Sequence, residues 1–372
     1  MNILFDGQVF GLQRYGGISR YVVELTTALA ELADVRVGIV APLHINSLLA
    51  SSSETISFPS WFVPKWRQSI RRTLDVLMTE PQLALRRCDV LHATYYLRHR
   101  RPYGASRLVV TVHDMIHELF PDSFRPDDPT RELKRTAVLA ADHVICVSEN
   151  TRQDLCRLLR VPFDRTSVVH HGVAALDYSV ETGPSRLPGG LPYLLFVGVR
   201  GGYKNFSTLL RAVAGSQALR SRFRIVAFGG GSMTTGEREE IVSLGLSDGA
   251  VLHVVGDDAA LTAMYRSAAC FVCPSRYEGF GMPLLEAMAA SCPVVCASAS
   301  SLPEVAGPAA EYFDVSASDA DLALAAAIEH VVDDSARHAA LVGLGRTRAA
   351  TFTWRQTALR TLHSYENVFS GD

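Results

Sequence analysis

The chain has 372 residues, of which 48% are hydrophobic and 20% are charged, and its formal net charge at pH 7 is −2. This length exceeds what one hydrophobic core usually organises, so we expect two domains. The composition is that of an ordinary globular protein, and the nearly balanced charge gives no reason to expect nucleic acid as a partner.

Strands and helices alternate along the whole chain. Short apolar runs predict strands at residues 3–5, 35–40, 89–93, 108–112 and 143–147, and apolar residues at helical spacing follow residue 18. Between residues 177 and 192, prolines and glycines break the pattern and predict a linker. The alternation then restarts, with strands predicted at residues 193–197, 224–228, 251–254, 270–273 and 294–297. This βαβ repetition predicts two α/β domains with mostly parallel sheets.

Cysteine usage and hydropathy bear on the compartment. Seven cysteines are scattered, several of them in apolar runs, which predicts reduced core thiols in a cytoplasmic protein. Residues 1–6 lack a basic stretch followed by an apolar one, so we expect no signal peptide. No apolar run reaches the roughly 20 residues that a membrane-spanning helix needs.

One region of the chain is basic. Residues 41–107 contain ten Lys or Arg and four Asp or Glu, a net charge of +6 in a chain that is net negative. Within it, the segment from Trp61 to Arg72 mixes aromatic and basic side chains. This segment predicts peripheral contact with an anionic membrane, with a solvated helix as the alternative.

The most informative segment runs from Glu278 to Glu286, with Gly279 and Gly281 after the first acid. It follows an apolar run that predicts a buried strand, and it leads into a predicted helix with Pro283 in its first turn. A glycine loop at the start of a helix offers backbone N–H groups and a positive dipole end to phosphate. The segment therefore predicts sugar-nucleotide binding, with an ordinary strand–helix joint as the alternative.

Two further groups lie at predicted strand-to-helix exits in the first half. Gly16 and Gly17 precede an amphipathic helix and form a candidate anion site, with a tight turn as the alternative. His113 and Asp114 follow a strand, at a position that is typical of a functional site. His117 stands four residues after His113, but no third ligand at a recognisable spacing supports a metal site.

The second half adds two cations on a glycine-rich loop. Arg200 and Lys204 follow the strand predicted at residues 193–197. Both could neutralise a leaving diphosphate, with a solvated loop as the alternative. Ligands of parallel sheets bind outside the carboxyl ends of the strands, so we expect the site in a cleft between the two domains.

These features together resemble glycosyltransferase family 4, whose members are retaining enzymes of the GT-B fold. Glu278 and Glu286 match the family's Glu-x7-Glu signature, and the resemblance covers nearly the whole chain. Further family elements match at residues 14–20, 113–114, 200–204, 301–304 and 352–354. Residues 5–7 and 15–21 are most similar to a bacterial subgroup that contains mannosyltransferases of O-antigen and other surface polysaccharides.

The resemblance implies two Rossmann-like domains that face each other across a cleft. The implied division is an N-terminal acceptor-side domain at residues 1–178, a linker at 179–192 and a nucleotide-sugar-binding domain at 193–353. A C-terminal helix at 354–372 would pack back on the first domain. The cysteines and the basic segment, rather than the resemblance, predict a cytoplasmic enzyme that is peripheral on the inner face of the cell membrane.

Roles for single residues follow from the same resemblance. Glu286 would hold the nucleotide ribose, Glu278 would contact the donor sugar, and His113 would lie beside that sugar. Arg200 and Lys204 would stabilise the leaving diphosphate. Backbone groups near the sugar and the phosphates would come from the other donor-binding residues, which are Gly16, Gly17, Gly279, Phe280, Gly281, Met282 and Pro283.

The sequence departs from the family pattern in two places. Tyr203 stands where the family often has an arginine directly before the lysine, and Arg200 lies four residues upstream of Lys204. His171 and Ala174 stand at the ends of the segment that usually reads Asn-Gly-Val-Asp.

The chemistry supports a route without a metal ion or another cofactor. Charge builds on the leaving phosphate during glycosyl transfer, and fixed cations with glycine-loop N–H groups would stabilise it. Retention could arise by double displacement through a carboxylate or by attack on the face that the diphosphate leaves. The acid available for double displacement is Glu278, which the family pattern assigns to hydroxyl binding, so we expect same-face attack.

The sequence thus predicts a retaining, metal-independent hexosyltransferase. Its expected partners are a nucleotide sugar, GDP-mannose above all, and an oligosaccharide or lipid-linked glycan acceptor at the bacterial surface. GDP-rhamnose, UDP-glucose and UDP-N-acetylhexosamine are the alternative donors. A sugar-nucleotide 2-epimerase and a non-catalytic sugar-nucleotide-binding protein are the alternative functions.

Overall fold

The computed structural model describes residues 1–51, 61–63, 68–97, 104–174 and 192–370. The chain forms two compact units. Unit 1 comprises Met1–Leu119, Phe124–Gly172 and Trp354–Asp372, and unit 2 comprises Phe120–Ser123 and Val173–Thr353. In this division the described residues Val173 and Ala174 fall in unit 2, whereas the sequence predicts that the first domain extends to residue 178. The predicted linker lies outside the described residues except for Pro192.

Unit 1 alternates strands and helices, as βαβ repetition predicts. Its strands are β1 (Asn2–Asp6), β2 (Arg36–Val40), β3 (Leu43–His44), β4 (Trp61–Phe62), β5 (Cys88–Ala93), β6 (Ala105–Val112), β7 (His143–Cys146) and β8 (Thr166–Val168). Its helices are α1 (Gln8–Leu12), α2 (Gly17–Ala30), α3 (Ser47–Ser51), α4 (Gln68–Leu85), α5 (Ile116–Leu119), α6 (Thr130–Ala140) and α7 (Glu149–Leu159). Short 3-10 helices span Phe163–Arg165 in unit 1 and Pro121–Ser123 in unit 2.

Six strands of unit 1 form one parallel sheet in the order β2-β1-β5-β6-β7-β8, and β3 pairs with β4 separately. Helices cover buried strand residues, so the strands read as continuous apolar runs rather than alternating ones. Phe5 of β1, Leu25 of α2 and Ile39 of β2 lie in the same fully buried cluster. The strand order changes direction between β1 and β5, where ligands of such sheets usually bind.

Unit 2 repeats this architecture. Its strands are β9 (Tyr193–Val197), β10 (Arg224–Phe228), β11 (Val251–Val254), β12 (Cys270–Cys273), β13 (Val294–Ala297) and β14 (Ala310–Phe313). Its helices are α8 (Phe206–Gly215), α9 (Gln217–Arg222), α10 (Thr235–Ser243), α11 (Asp258–Ser267), α12 (Met282–Ala289), α13 (Leu302–Ala306), α14 (Ala320–Asp333) and α15 (Ser335–Ala350), with 3-10 helices at Gly202–Lys204 and Gly307–Ala309. The parallel sheet has the order β11-β10-β9-β12-β13-β14.

The C-terminal helix α16 (Trp354–Ser370) belongs to unit 1 and packs against α2. Tyr365 is fully buried, and its hydroxyl lies 2.5 Å from Nδ1 of His92 on β5. The hydroxyl of Thr357 donates to the carbonyl of His170 at 2.9 Å. These buried polar contacts, together with the apolar face of α16, fix the helix on the unit 1 core.

Two predictions about the compartment stay predictions. Trp61 and Phe62 are exposed, but residues 64–67 of the predicted membrane-contact segment lie outside the described part of the chain, as do the side chains of residues 68–72. None of the helices in the described ranges is both long and apolar enough to cross a bilayer. The seven cysteines are free thiols, and all but Cys156 are buried.

Candidate functional site

The sheet of unit 2 brings the loops of Lys204 and Glu278 to the same edge. The two loops follow β9 and β12, which are neighbouring parallel strands, with Leu195 opposite Phe271. The strand order changes direction between these two strands, because β10 and β11 lie on one side and β13 and β14 on the other. Lys204 and Glu278 therefore lie at the topological switch point, where parallel sheets bind their ligands.

The loop before α12 needs its second glycine. Gly281 caps the helix with φ 107° and ψ 43°, a left-handed conformation that glycine adopts without strain. A Cβ at this position would lie 3.2 Å from Cδ2 of Leu302. The loop is also fixed from the residues just before α13, since the amide of Glu278 donates to Ser300 Oγ at 2.9 Å. Ser301 Oγ lies 2.8 Å from the carbonyl oxygen of Phe280 and donates to it.

Lys204 and Glu278 form a nearly buried ion pair. Lys204 Nζ lies 2.7 Å and 2.9 Å from the two carboxylate oxygens of Glu278, and Ser275 Oγ donates to Oε1 at 2.7 Å. The two side chains are 15% and 10% exposed. Burial alone lowers the pKa of Lys204, but the adjacent Glu278 carboxylate outweighs it and raises the pKa above its ordinary value. The structure thus holds a charged ammonium beside a carboxylate that three hydrogen bonds restrain.

The second acid of the signature points elsewhere. Glu286 lies on α12, and its Oε2 accepts a hydrogen bond from the buried hydroxyl of Tyr265 at 3.3 Å. Burial raises the pKa of Tyr265, and the nearby Glu286 carboxylate adds to that effect. Glu278 and Glu286 therefore have separate partners, as two carboxylates with separate roles require. Met282 and Pro283 form the first turn of α12, and the ring of Phe280 meets that of Phe352 edge to face at 5.9 Å.

The side chain of Arg200 is buried and held by contacts within unit 2. Its buried guanidinium donates to Glu237 Oε1 at 2.7 Å and to the carbonyls of Gly229, Gly231 and Ser232 at 2.9–3.1 Å. Its charge is neutralised by Glu237, which also completes the cap of α10 through Thr234. The guanidinium therefore holds the glycine loop after β10 in place. The predicted role of Arg200 as a diphosphate cation stays a prediction beside this structural one.

His113 follows β6 and lies among aromatic rings. Its imidazole stacks on that of His171 with centroids 5.9 Å apart and planes 9° apart, and Tyr21 meets its edge at 5.1 Å. Burial lowers the pKa of His113 to about 4; Asp114 opposes this shift and Lys134 adds to it. The imidazole is therefore neutral at physiological pH, when it can donate one hydrogen bond and accept another.

The glycine loop of unit 1 contains Gly16 and Gly17, and there is open space beside Gly17. No heavy atom lies within 4 Å of a Cβ built on Gly17, the first residue of α2, whereas one built on Gly16 would collide with the side chain of Gln13. Beside the loop, the Arg20 guanidinium bonds to the hydroxyl of Tyr15 and lies over its ring. Backbone N–H groups at the start of α2 are thus accessible to an anion.

The structure gives no support to a metal site at His113 and His117. The ring of His117 stacks on Phe124 with centroids 3.8 Å apart, whereas His113 stacks on His171. Within the described ranges, no three His, Cys, Asp or Glu side chains are grouped so as to hold a metal ion.

Sequence reasoning missed the residues that support the site. Ser275, Ser300 and Ser301 fix Glu278, and His171 stacks on His113, although none of these was predicted to do so. Ser301 lies in a segment that matches the family, so this match was an available signal. His171 was visible merely as a departure from the usual Asn-Gly-Val-Asp segment.

Two family models match the chain, one for each half. The description Glycosyltransferase Family 4 matches residues 15–175, and Glycosyl transferases group 1 matches residues 180–347. The O-antigen chain mannosyltransferase B of Escherichia coli is 30% identical over 287 residues, which are 73% of this chain and 72% of that protein. The chain belongs to glycosyltransferase family 4.

Other relatives of this glycosyltransferase have different names. The D-inositol 3-phosphate glycosyltransferase of Thermobispora bispora is 30% identical over 313 residues, or 78% of this chain and 73% of that protein. Among solved structures, the sucrose-phosphate synthase of Thermosynechococcus elongatus superposes with a TM-score of 0.74 at 22% identity and covers all of both chains. The predicted GT-B fold and the predicted enzyme class are confirmed.

The environment of Arg200 generates a stability prediction. We expect Arg200→Met to lower the free energy of unfolding of unit 2 by about 3 kcal/mol, since it leaves Glu237 without its buried partner. Arg222→Met is the matched control, because the ion pair of Arg222 with Asp333 is exposed and its loss should cost below about 1 kcal/mol. Urea denaturation measures both. Equal stabilities of the two variants, with sugar transfer lost in Arg200→Met alone, would restore the diphosphate role.

The buried histidines generate a prediction about pH. Burial lowers the pKa of His113 to about 4 and that of His92 to about 3, below the ordinary value of 6.5. As the pH falls below 6.5, these histidines take up protons in the unfolded chain before they do so in the folded protein. The free energy of unfolding therefore has its full value above pH 6.5 and decreases toward pH 4. In His113→Asn the slope of unfolding free energy against pH should be shallower by about 1.4 kcal/mol per unit. Parallel slopes for the wild type and His113→Asn would contradict the prediction.

Proposed function

We propose that this glycosyltransferase moves a mannosyl residue from GDP-mannose onto a growing bacterial surface glycan, with retention and without a metal ion. The observation that carries the proposal is the Lys204–Glu278 ion pair at the switch point of the unit 2 sheet. A cation and a carboxylate side by side suit a ligand that has a diphosphate next to sugar hydroxyls.

Lys204 and the loop before α12 would hold the diphosphate. The ammonium is charged and already placed by Glu278, so stabilising the leaving group would need little reorganisation. The N–H of Met282, after Phe280 and Gly281, would add the positive end of the α12 dipole. Pro283 has no N–H, and the Leu284 amide donates to the carbonyl of Gly281 at 3.0 Å. Arg200 is left out of this set because Glu237 neutralises it.

The two acids would divide the rest of the donor between them. Glu278 would accept hydrogen bonds from sugar hydroxyls, and Glu286 would accept them from the ribose. Lys204 and Ser275 already donate to the Glu278 carboxylate, which weakens it as a nucleophile. This supports same-face attack: the acceptor oxygen bonds to the anomeric carbon as the bond to the diphosphate breaks, and a leaving phosphate oxygen takes the acceptor's proton.

In unit 1, the family resemblance assigns His113 to sugar binding and the backbone N–H groups of Gly16 and Gly17 to phosphate binding. A neutral imidazole can donate a hydrogen bond to a sugar hydroxyl, and its stacking on His171 fixes the direction of that bond. A lipid-linked oligosaccharide is the proposed acceptor.

The relatives favour mannose over the other donors. The Escherichia coli relative is named for mannosyl transfer to the O-antigen chain. The Thermobispora bispora relative is named for glycosyl transfer to D-inositol 3-phosphate, which keeps a different acceptor and another donor such as a UDP-sugar as the second candidate.

A ligand panel tests the donor. We expect GDP-mannose to raise the unfolding temperature of the wild type more than UDP-glucose, UDP-N-acetylglucosamine or a TDP-sugar does at equal concentration. A bound donor at about 100 times its Kd stabilises the folded state by about 2.7 kcal/mol. Transfer of labelled mannose, followed by NMR of the product, should show the α-configuration of the donor. A larger shift with a uridine nucleotide would contradict the mannosyl proposal, and a β-product would contradict retention.

A further inference from the structure

Lys134 is a buried lysine beside the predicted His-Asp pair. It lies on α6, and its side chain is 1% exposed, which places a charged group in the interior of unit 1. Its ammonium donates to the carbonyl of Asp114 at 2.9 Å and to Glu118 Oε2 at 2.8 Å. Asp114 Oδ1 lies 3.6 Å away.

These contacts hold the segment that follows β6 at several points along its length. Asp114 directly follows His113, and its Oδ1 also accepts the amide of Ile116 at the start of α5. Glu118 lies near the end of the same helix. The ammonium also lies over the ring of Tyr96, 5.7 Å from its centroid, and the Tyr96 hydroxyl accepts the amide of His113 at 3.4 Å. Lys134 is thus the common partner of the segment that carries His113.

His113 is therefore held from two sides. Its ring is packed between Tyr21 and His171, and its backbone is held through Lys134 and Tyr96. Stability alone does not explain a buried lysine here, because an apolar pair of similar volume often replaces a buried ion pair without loss. A precise backbone path for residues 113–118 does explain it.

We propose that Lys134 is a positioning residue that sets the geometry of His113 and Asp114 for glycosyl transfer. The catalytic part of this inference rests on the proposed function, whereas the structural part does not. Lys134 touches no reacting atom in this account; it acts through the carbonyl of Asp114 and the carboxylate of Glu118.

The test separates positioning from folding. Lys134→Met alone leaves the Glu118 carboxylate buried without its cation, so this variant is expected to fold poorly. The informative protein is Lys134→Met/Glu118→Leu, which removes both charges and should unfold at nearly the wild-type urea concentration. Arg135→Met is the matched control, since Arg135 is exposed on the same helix and pairs with Glu132, which is also exposed.

In the double variant we expect kcat for mannosyl transfer to fall ~100-fold, because a displaced catalytic group loses about that factor. The donor KM should change little, since Lys204 and Glu278 are untouched. Hydrogen exchange should accelerate in residues 113–119 and stay unchanged in β9. Arg135→Met should match the wild type in every readout.

Two results would overturn the inference: wild-type kcat in the double variant, or unchanged exchange in residues 113–119. If the wild type transfers no sugar, the proposed function fails and the exchange measurement alone decides the role of Lys134. Faster exchange confined to that segment would still support it.

Discussion

The Lys204–Glu278 ion pair is the interaction on which the rest of the site depends. A lysine and a glutamate that are largely removed from water are costly to bury unless each satisfies the other. The geometry is available because β9 and β12 are neighbours and release their loops at the same edge. Every supporting contact then follows: Ser275 donates to the carboxylate, Ser300 accepts the Glu278 amide, and Gly281 turns the chain into α12.

In the proposed function, the same pair accounts for the binding of a diphosphate without a metal ion. The ammonium is held in place by a carboxylate before any ligand arrives, so its charge needs no reorientation at the moment of transfer. In the proposed function, the carboxylate serves the sugar while the ammonium serves the leaving group. Arg200, by contrast, is neutralised by Glu237 and shapes the loop after β10, where a Cβ on Gly230 would lie 2.3 Å from the Gly198 carbonyl oxygen.

Much of the fold was predictable because buried parallel strands are continuous apolar runs. Five strands of unit 2, from β9 to β13, have the predicted bounds. The strands β8 and β14 were not predicted, because Thr-Ser-Val and Ala-Glu-Tyr-Phe are not continuous apolar runs. Lys204, Glu278 and Glu286 were found from glycine spacing, which is local. The structural role of Arg200 was not predicted, because its partner Glu237 is 37 residues away in the sequence. A pair at that separation leaves no local signal. Lys134 was missed for the same reason, as helical spacing places a lysine on a helix without showing which side is buried.

Titration calorimetry of GDP against three variants tests the central claim, that Lys204 binds the diphosphate and Glu278 serves the sugar. Lys204→Met should weaken GDP binding ~10- to 100-fold, the loss of one charge-assisted hydrogen bond. Glu278→Gln should bind GDP at least as tightly as the wild type, since it removes a carboxylate near the phosphates and frees the ammonium. The double variant should resemble Lys204→Met. Wild-type GDP affinity in Lys204→Met, or equal weakening in Glu278→Gln, would contradict the account.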